Sequence, residues 1–505
     1  MENIKDKSIK NIVKGAGLVI FGIFISKILG YIYRIMVART GTEPYGLLSI
    51  GLALFGIIVT LSLLGLEMGV LRFVSYYKSK KDVPHIKSTI LSALKISLPL
   101  SIILATLAFI LSGWLANNVF HNPNLEIIFK IIAISAPFDV LGIMLFQVNR
   151  AFQIVKYEVF IKNIAENVIK IVFLIILIFL GYKLLGPTLA YVIGIISSGI
   201  LALWITQKKI FSFLDKKIKC KPIYKKIFSF SWPLLLTNFL VMIMLWTDTL
   251  MIGYFKNASD VGIYNAALPT ANMLFVIPYA FSFLFIPILT DFYARKDWSS
   301  FKHTFHSTTR WVFIINILPL LVFLFLPDYT MHTLFGFNYT ASIIPLMIVS
   351  VGYFINYLNI NASHVLIVFK KTKLLSLDLL IAAILNITLN LFLIPKFGII
   401  GAAIATSSSS IVLGALLFVQ ANKLTKSTVL DKSYLKVIIS AVIVSVIILF
   451  VRKILYFDKA ILSLLVNGLI LLGLYILFLI IFKVANKEDK KLIGFIKKRF
   501  SESTK

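Results

Sequence analysis

Cysteine, acidic residues and long polar connections are all scarce in this chain, and each shortage removes a class of function. The single cysteine, Cys220, excludes an intramolecular disulfide and carries no metal-site spacing. Charged residues make up 14% of the 505 positions, against about 25% in soluble domains, and only 21 are acidic against 51 Lys and Arg. No G-x-x-x-x-G-K-[ST] stretch occurs, so nothing marks a phosphate-cradling loop for ATP. His303 and His306 have helical spacing but no acidic or sulfur partner, and read as part of a solvated loop. No metal, cofactor or catalytic constellation is expected. Connections between apolar runs stay under about 20 residues, well short of the ~50 that the smallest domains need. That leaves no room for a soluble catalytic domain.

What fills the chain instead is apolar: 59% of residues are hydrophobic. Runs long enough to cross a bilayer, which takes about 20 residues, recur throughout. The expected fold is an all-α polytopic membrane protein with about 14 transmembrane helices by that length criterion. Their approximate positions are 12–37, 45–71, 88–112, 125–149, 157–181, 186–206, 226–253, 262–291, 308–327, 341–368, 374–394, 398–421, 434–453 and 458–483. The first run carries Lys14, Lys27 and Arg34 and leads straight into a second, so it reads as a span rather than a cleaved signal peptide. A net charge of +30 would suit a nucleic-acid binder, but the basic residues fall in short loops between spans, as membrane topology places them.

The chain repeats itself. The stretch LWTDTLMIGYFKNASDVGIYNAA, Leu245 to Ala267, has the shape of LGYIYRIMVARTGTEPYGLLS, Leu29 to Ser49. Met36-Val37-Ala38 lies under Met251-Ile252-Gly253, and Gly46-Leu47 under Gly262-Ile263 after a one-residue slip. Gly186-Pro187-Thr188-Leu189-Ala190 lies under Gly401-Ala402-Ala403-Ile404-Ala405. An offset near 215 held that long marks a duplicated unit. The expected organisation is a six-helix lobe at 1–206, a basic linker at 207–225, a second six-helix lobe at 226–422, and two further helices with a basic tail at 423–505. Six is even, so the lobes share one orientation, and pseudo-symmetric lobes of that kind place a substrate site near mid-bilayer around a central cavity.

Loop charge sets the direction. One set of connections holds 26 Lys and Arg residues, while the alternate set holds seven: Arg39, Lys183, Lys256, Lys396, Arg452, Lys453 and Lys459. The richer set, and with it both termini, is expected in the cytoplasm.

Charges inside spans cost about 2.5–3.5 kcal/mol at the bilayer centre on insertion scales and usually face a cavity. Lys27, Tyr31 and Arg34 fall on one face of the first span, where an Arg fork and a Lys ammonium suit phosphate oxygens. The alternative for Arg34 is snorkelling to the interface. In the fifth span Lys162, Glu166 and Lys170 share a face, with Asn163 and Asn167 alongside. Lys170 is either a cavity cation or part of an ion pair that locks helices. Asp248 in the seventh span and Asp139 in the fourth are candidates for an ion relay or counter-ion, or for structural charges. Glu67 and Asp378 lie nearer the span ends and read as solvated or gating groups. Pro269, Pro278 and Pro287 in the eighth span are hinge candidates or static kinks. Asn356, Asn359, Asn361, Asn386 and Asn390 read as bridges between helices.

The duplicated stretch, the proline-rich span, the later PKFGIIGAAIATSSSS and the earlier SLLGLEMGVLRFVSYY together resemble the polysaccharide-biosynthesis flippases of the multidrug/oligosaccharidyl-lipid/polysaccharide exporter superfamily. The resemblance spans essentially the whole chain. It implies alternating access and translocation of a polyprenyl-(pyro)phosphate-linked oligosaccharide across the plasma membrane, with no enzymatic activity. It makes membrane lipids and the lipid-linked glycan the partners, adds glycosyltransferases or a polymerase of the same pathway, and leaves nucleic acid out; a monomer is the expectation. Cation-coupled multidrug exporters of the superfamily typically carry an acid in the first span, where this chain has Lys27 and Arg34 instead. A drug or small-solute exporter of the same fold and a lipid II flippase remain the competing readings, followed by a membrane-embedded glycan ligase or polymerase.

Overall fold

The structure is a computed structural model and describes residues 22, 24–219, 222–428 and 432–484. Cys220, Lys14 and the basic tail lie outside the described residues. Among those described the regular structure is all helix, with no strand. Eleven helices are long and apolar enough to cross a membrane. The chain is a multi-pass membrane protein. One of the eleven, Thr372–Thr425, is broken at Gly398 (φ 57°, ψ −134°). An added Cβ on Gly401 would sit 2.3 Å from the Leu393 carbonyl oxygen, so the chain doubles back there and the two runs expected at 374–394 and 398–421 are antiparallel neighbours. The run expected at 157–181 is interrupted differently: Lys156–Glu158 passes into a π-helical stretch, Val159–Ala165, before Glu166–Phe179 resumes as α-helix. The run expected at 262–291 also breaks, into Ala258–Ala271, a 3₁₀ turn at Asn272–Phe275, and Val276–Ala294. Pro269 and Pro278 flank that turn, and Pro287 lies within the last helix. A missing proline N–H accounts for the interrupted ladder.

The duplication is written into local chemistry as well as sequence. Asp82 caps helix Val83–Trp114 by accepting from the His85 N–H at 3.1 Å, and Asp297 caps Trp298–Phe325 by accepting from the Ser300 N–H at 3.0 Å. Each cap follows a lysine in the left-handed region, Lys81 and Lys296, both at φ 58°. Gln153 (φ 61°) and Lys370 (φ 57°) end equivalent helices the same way. In the first half a Cβ on Gly199 would lie 2.4 Å from the Phe138 carbonyl oxygen; in the second, one on Gly414 would lie 3.0 Å from the Ile355 carbonyl oxygen. Such small-residue seams let helix backbones touch where no water drives them together.

Compactness divides the chain elsewhere than the repeat does. One unit comprises Met1–Asn265 with Ile387–Ala402, the other Ala266–Asn386 with Ala403–Lys505. The first unit takes in helix Tyr224–Phe255 because that helix is tied to the helices before it. Asn238 donates to Glu67 Oε1 at 2.8 Å, so Glu67 is buried rather than solvated. The first unit also fixes the basic linker. The buried Lys87 ammonium donates to the carbonyls of Asp215 (2.5 Å) and Ile218 (3.0 Å), Ile223 N–H donates to Ser92 Oγ at 3.0 Å, and Phe213 is fully buried. In the second unit Asp378 is buried and accepts from Gln420 at 2.8 Å, and Asn386 donates to Thr406 at 3.1 Å.

Candidate functional site

The charged residues singled out in the first and fifth spans lie on helices that pack together in the first unit. Asn167 donates to Ser26 Oγ at 3.3 Å and to the Asn163 carbonyl at 3.0 Å. A Cβ on Gly22 would come 2.4 Å from a Val159 methyl, so helix 24–38 lies directly on the Val159–Phe179 run. Ser26 neighbours Lys27 in sequence, and Asn167 precedes Lys170 by three residues, just under one helical turn.

Four charges alternate in sign along one line. Asp139 Oδ1 is 2.9 Å from Lys162 Nζ, Lys162 is 3.0 Å from Glu166 Oε2, and Glu166 Oε1 is 2.7 Å from Lys170 Nζ. The line is neutral overall. Lys170 and Glu166 have side chains only 6% and 5% exposed, whereas Lys162 keeps 32%. The π-helical stretch around Lys162 changes the angular spacing of that turn, and π-bulges of this kind are common at functional positions. Burying such ions is costly unless each finds partners, and here each does. Lys170 has one more: its ammonium sits 3.8 Å from the centroid of Tyr191, a close cation–π contact. Gly194 makes room for it, since a Cβ there would fall 2.5 Å from Lys170 Cγ. Tyr191 escaped the sequence reading because it lies in an apolar, small-residue helix with no charged neighbour to flag it.

Arg34 is half-buried, with the Tyr45 phenol beside it. Tyr45 donates to the Asn265 carbonyl at 2.8 Å, and the Asn265 side chain donates to Thr249 Oγ1 at 3.1 Å. Next along the same two helices is Asp248, 3% exposed, which accepts from Tyr264 at 2.6 Å and from Asn390 at 2.7 Å. The structure thus brings Arg34 and Asp248 into adjoining networks linked through residues 264 and 265. Tyr33, one residue before Arg34, donates to the Pro187 carbonyl at 2.5 Å and lies 6.2 Å from Tyr191, centroid to centroid. Tyr31 is half-buried on the same helix. Lys27 is exposed, and no ion pair holds it among the described residues. Among the described residues no three His, Cys, Asp or Glu side chains converge as a metal site would need.

The model of one family, described as polysaccharide biosynthesis protein, matches residues 12–293. The chain belongs to the polysaccharide biosynthesis protein family. A second model, MatE, matches residues 233–392, which places this family member within the multidrug/oligosaccharidyl-lipid/polysaccharide exporter superfamily. An uncharacterized membrane protein of Methanocaldococcus jannaschii is 24% identical to it over 96% of this chain and 99% of the relative. A putative O-antigen transporter of Shigella flexneri is 24% identical over 81% of this chain and 96% of its own length. Among solved structures, the lipid II flippase MurJ in an inward closed conformation superposes with a TM-score of 0.73 at 19% identity, covering 92% of this chain and 98% of that one. That likeness is one of fold.

Proposed function

We propose that this member of the polysaccharide biosynthesis protein family is a flippase. It carries a polyprenyl-(pyro)phosphate-linked oligosaccharide from the cytoplasmic to the outer leaflet of the plasma membrane by alternating access, and it is a transporter rather than an enzyme. The observation that carries the reading is the family match over residues 12–293, joined to a basic helix 24–38 whose exposed ammonium, Lys27, has no counter-charge among the described residues. The name of the Shigella flexneri relative, a transporter of O-antigen, is of the same chemical class. Lys27 supplies the first contact to the pyrophosphate. Arg34 and Lys170 are held ready by Tyr45 and by the Glu166–Tyr191 pair, and phosphate oxygens replace those partners as the head group enters. Two six-helix lobes, 1–206 and 226–422, with 207–225 as linker and 423–505 appended, are the moving parts, and the break between Pro269 and Pro278, together with Pro287 inside the helix that follows, supplies the hinges. The 26-to-7 loop asymmetry supports cytoplasmic termini. With the cell interior negative, outward movement of an anion is downhill by about 2.3 kcal/mol per charge per 100 mV, so the potential contributes without a coupling ion. Glycosyltransferases or a polymerase of the same pathway are the partners this cargo implies.

The test is flipping of a fluorescent polyprenyl-pyrophosphate oligosaccharide in proteoliposomes. A charge-assisted contact is worth about 1.5–3 kcal/mol, so Lys27→Ala should slow flipping by roughly 10- to 150-fold with unchanged expression. Full activity in Lys27→Ala and Arg34→Ala would sink the proposed head-group contact.

A further inference from the structure

Cations are depleted from the sparse set of loops, yet three of the seven there, Arg452, Lys453 and Lys459, crowd into one connection. The structure shows what two of them do. In the second unit a cleft of about 710 Å³ opens at the end of helix Lys432–Ile454, against the short helix Pro327–Leu334. Its rim is polar. Arg452 is locked in place: its guanidinium donates to the Phe325 carbonyl at 2.5 Å and to Asp328 Oδ2 at 2.7 Å, and stands 5.3 Å from the Tyr329 ring centroid. Asp328 therefore spends its charge on Arg452. Lys453, next in sequence, is exposed and has no such acid among the described residues, so the residues lining the rim carry one net positive charge. Below the rim the wall is apolar and faces outward: Val446, Leu449 and Phe450 are 52%, 44% and 65% exposed. Tyr456, 66% exposed, sits between the two zones, as interfacial tyrosines do.

An ammonium above an apolar, lipid-facing wall matches one kind of ligand. We propose that this cleft binds a resident phospholipid of net negative charge, with no cation in its headgroup, the phosphate at Lys453 and the hydrocarbon chains along Val446, Leu449 and Phe450. Arg452 positions the rim and does not hold the phosphate itself. The lipid is part of the surrounding bilayer and separate from the transported cargo, so the site stands whether or not the flippase reading does.

The full chain reconstituted in nanodiscs of phosphatidylglycerol and phosphatidylcholine at 1:3 provides the assay, with co-purifying lipid counted by native mass spectrometry. Phosphatidylglycerol should be enriched over the bulk ratio. One interfacial Lys is worth about 1 kcal/mol toward an anionic lipid, so Lys453→Gln should cut the enrichment roughly fivefold while Lys453→Arg retains it. Lys423→Gln, an exposed cation at the opposite end of the second unit's helices, should leave it unchanged. Equal enrichment in Lys453→Gln and the parent would overturn the site, as would an equal drop in Lys423→Gln, which would reveal a diffuse charge effect. Millimolar glycerol phosphate should not displace the lipid; displacement would show that a free phosphate suffices and that the apolar wall plays no part.

Discussion

Gly262→Ala tests whether the crossing of two repeat-equivalent helices is a moving contact. Gly46 and Gly262 occupy matching positions in the two repeats, and the helices beginning at Thr42 and Ala258 meet there backbone to backbone. A Cβ on Gly262 would fall 2.0 Å from the Thr42 carbonyl oxygen, and one on Gly46 would fall 1.6 Å from the Ala258 carbonyl oxygen. Ordinary van der Waals contact begins near 3.4 Å, so the alanine forces the backbones apart by about 1.4 Å. Overpacking of that size costs about 1–3 kcal/mol. If the crossing exists in one state of the transport cycle and parts in the other, the same energy shifts the balance about 5- to 150-fold toward the parted state. The hydroxyls of Thr42 and Ser259 are 2.7 Å apart at this crossing, which places a cysteine pair there within disulfide reach. In a Cys220→Ser background, Thr42→Cys with Ser259→Cys should cross-link readily, and the cross-link should stop flipping until a reductant is added. Adding Gly262→Ala should slow cross-linking at least fivefold. A cross-linking rate within twofold of the parent, or full flipping in the oxidised pair, would refute the idea that this seam opens.

Further outcomes follow from the buried charges and the caps. Removing one partner of a buried pair leaves the other uncompensated at a cost of about 3–5 kcal/mol, so Glu166→Gln or Lys170→Met alone should markedly lower the melting temperature in detergent, while the double variant recovers most of it. If the double variant is as unstable as either single one, the two side chains are not energetically paired. Tyr264→Phe removes a donor from buried Asp248 and should destabilise by about 1–3 kcal/mol, with Asn390→Leu adding to it; an unchanged melting curve would mean that the Asp248 contacts carry no stability. At the two aspartate caps, hydrogen bonds from the His85 side chain and N–H to Asp82, and from the Ser300 hydroxyl and N–H to Asp297, hold both carboxyls below their ordinary range. A depressed folded-state pKa gives stability that is present above the unfolded value and lost as pH falls through the folded one, so the capping contribution should fade only below about pH 4. Asp297→Asn, which still caps, should remove that acid dependence, and thermal scans from pH 3 to 6 would show it.

The sequence revealed whatever depended on short-range periodicity. Lys162, Glu166 and Lys170 fall on one helical face by counting, and the structure pairs them. Asp139, which completes their line from a different helix, was visible only as an isolated mid-span acid, because a contact across 23 residues leaves no periodic trace. Tyr191 was hidden for the same reason, and Asn390 was legible as a bridging amide but not as the partner of Asp248. The offset of about 215 showed that Gly46 and Gly262 are equivalent but not that they touch. Two copies of one element can meet at a pseudo-symmetric crossing only once folded, and then both must be glycine. Helix interruptions were half legible: Pro269 and Pro278 announced the 3₁₀ turn at Asn272–Phe275, although Pro287 breaks no helix, whereas the π-helical stretch at Val159–Ala165 contains no proline or glycine to announce it.

Lys87 gives the connecting segment a property of its own. Its ammonium reads the path of the main chain at Asp215 and Ile218 and is indifferent to which side chains those positions display. Apart from the buried Phe213, the segment's composition can therefore drift, or be rewritten by an engineer, provided its route is kept. Position 87 has no such latitude: a residue without a side-chain donor there would deprive two carbonyls of their partner at once and loosen the strap at that point.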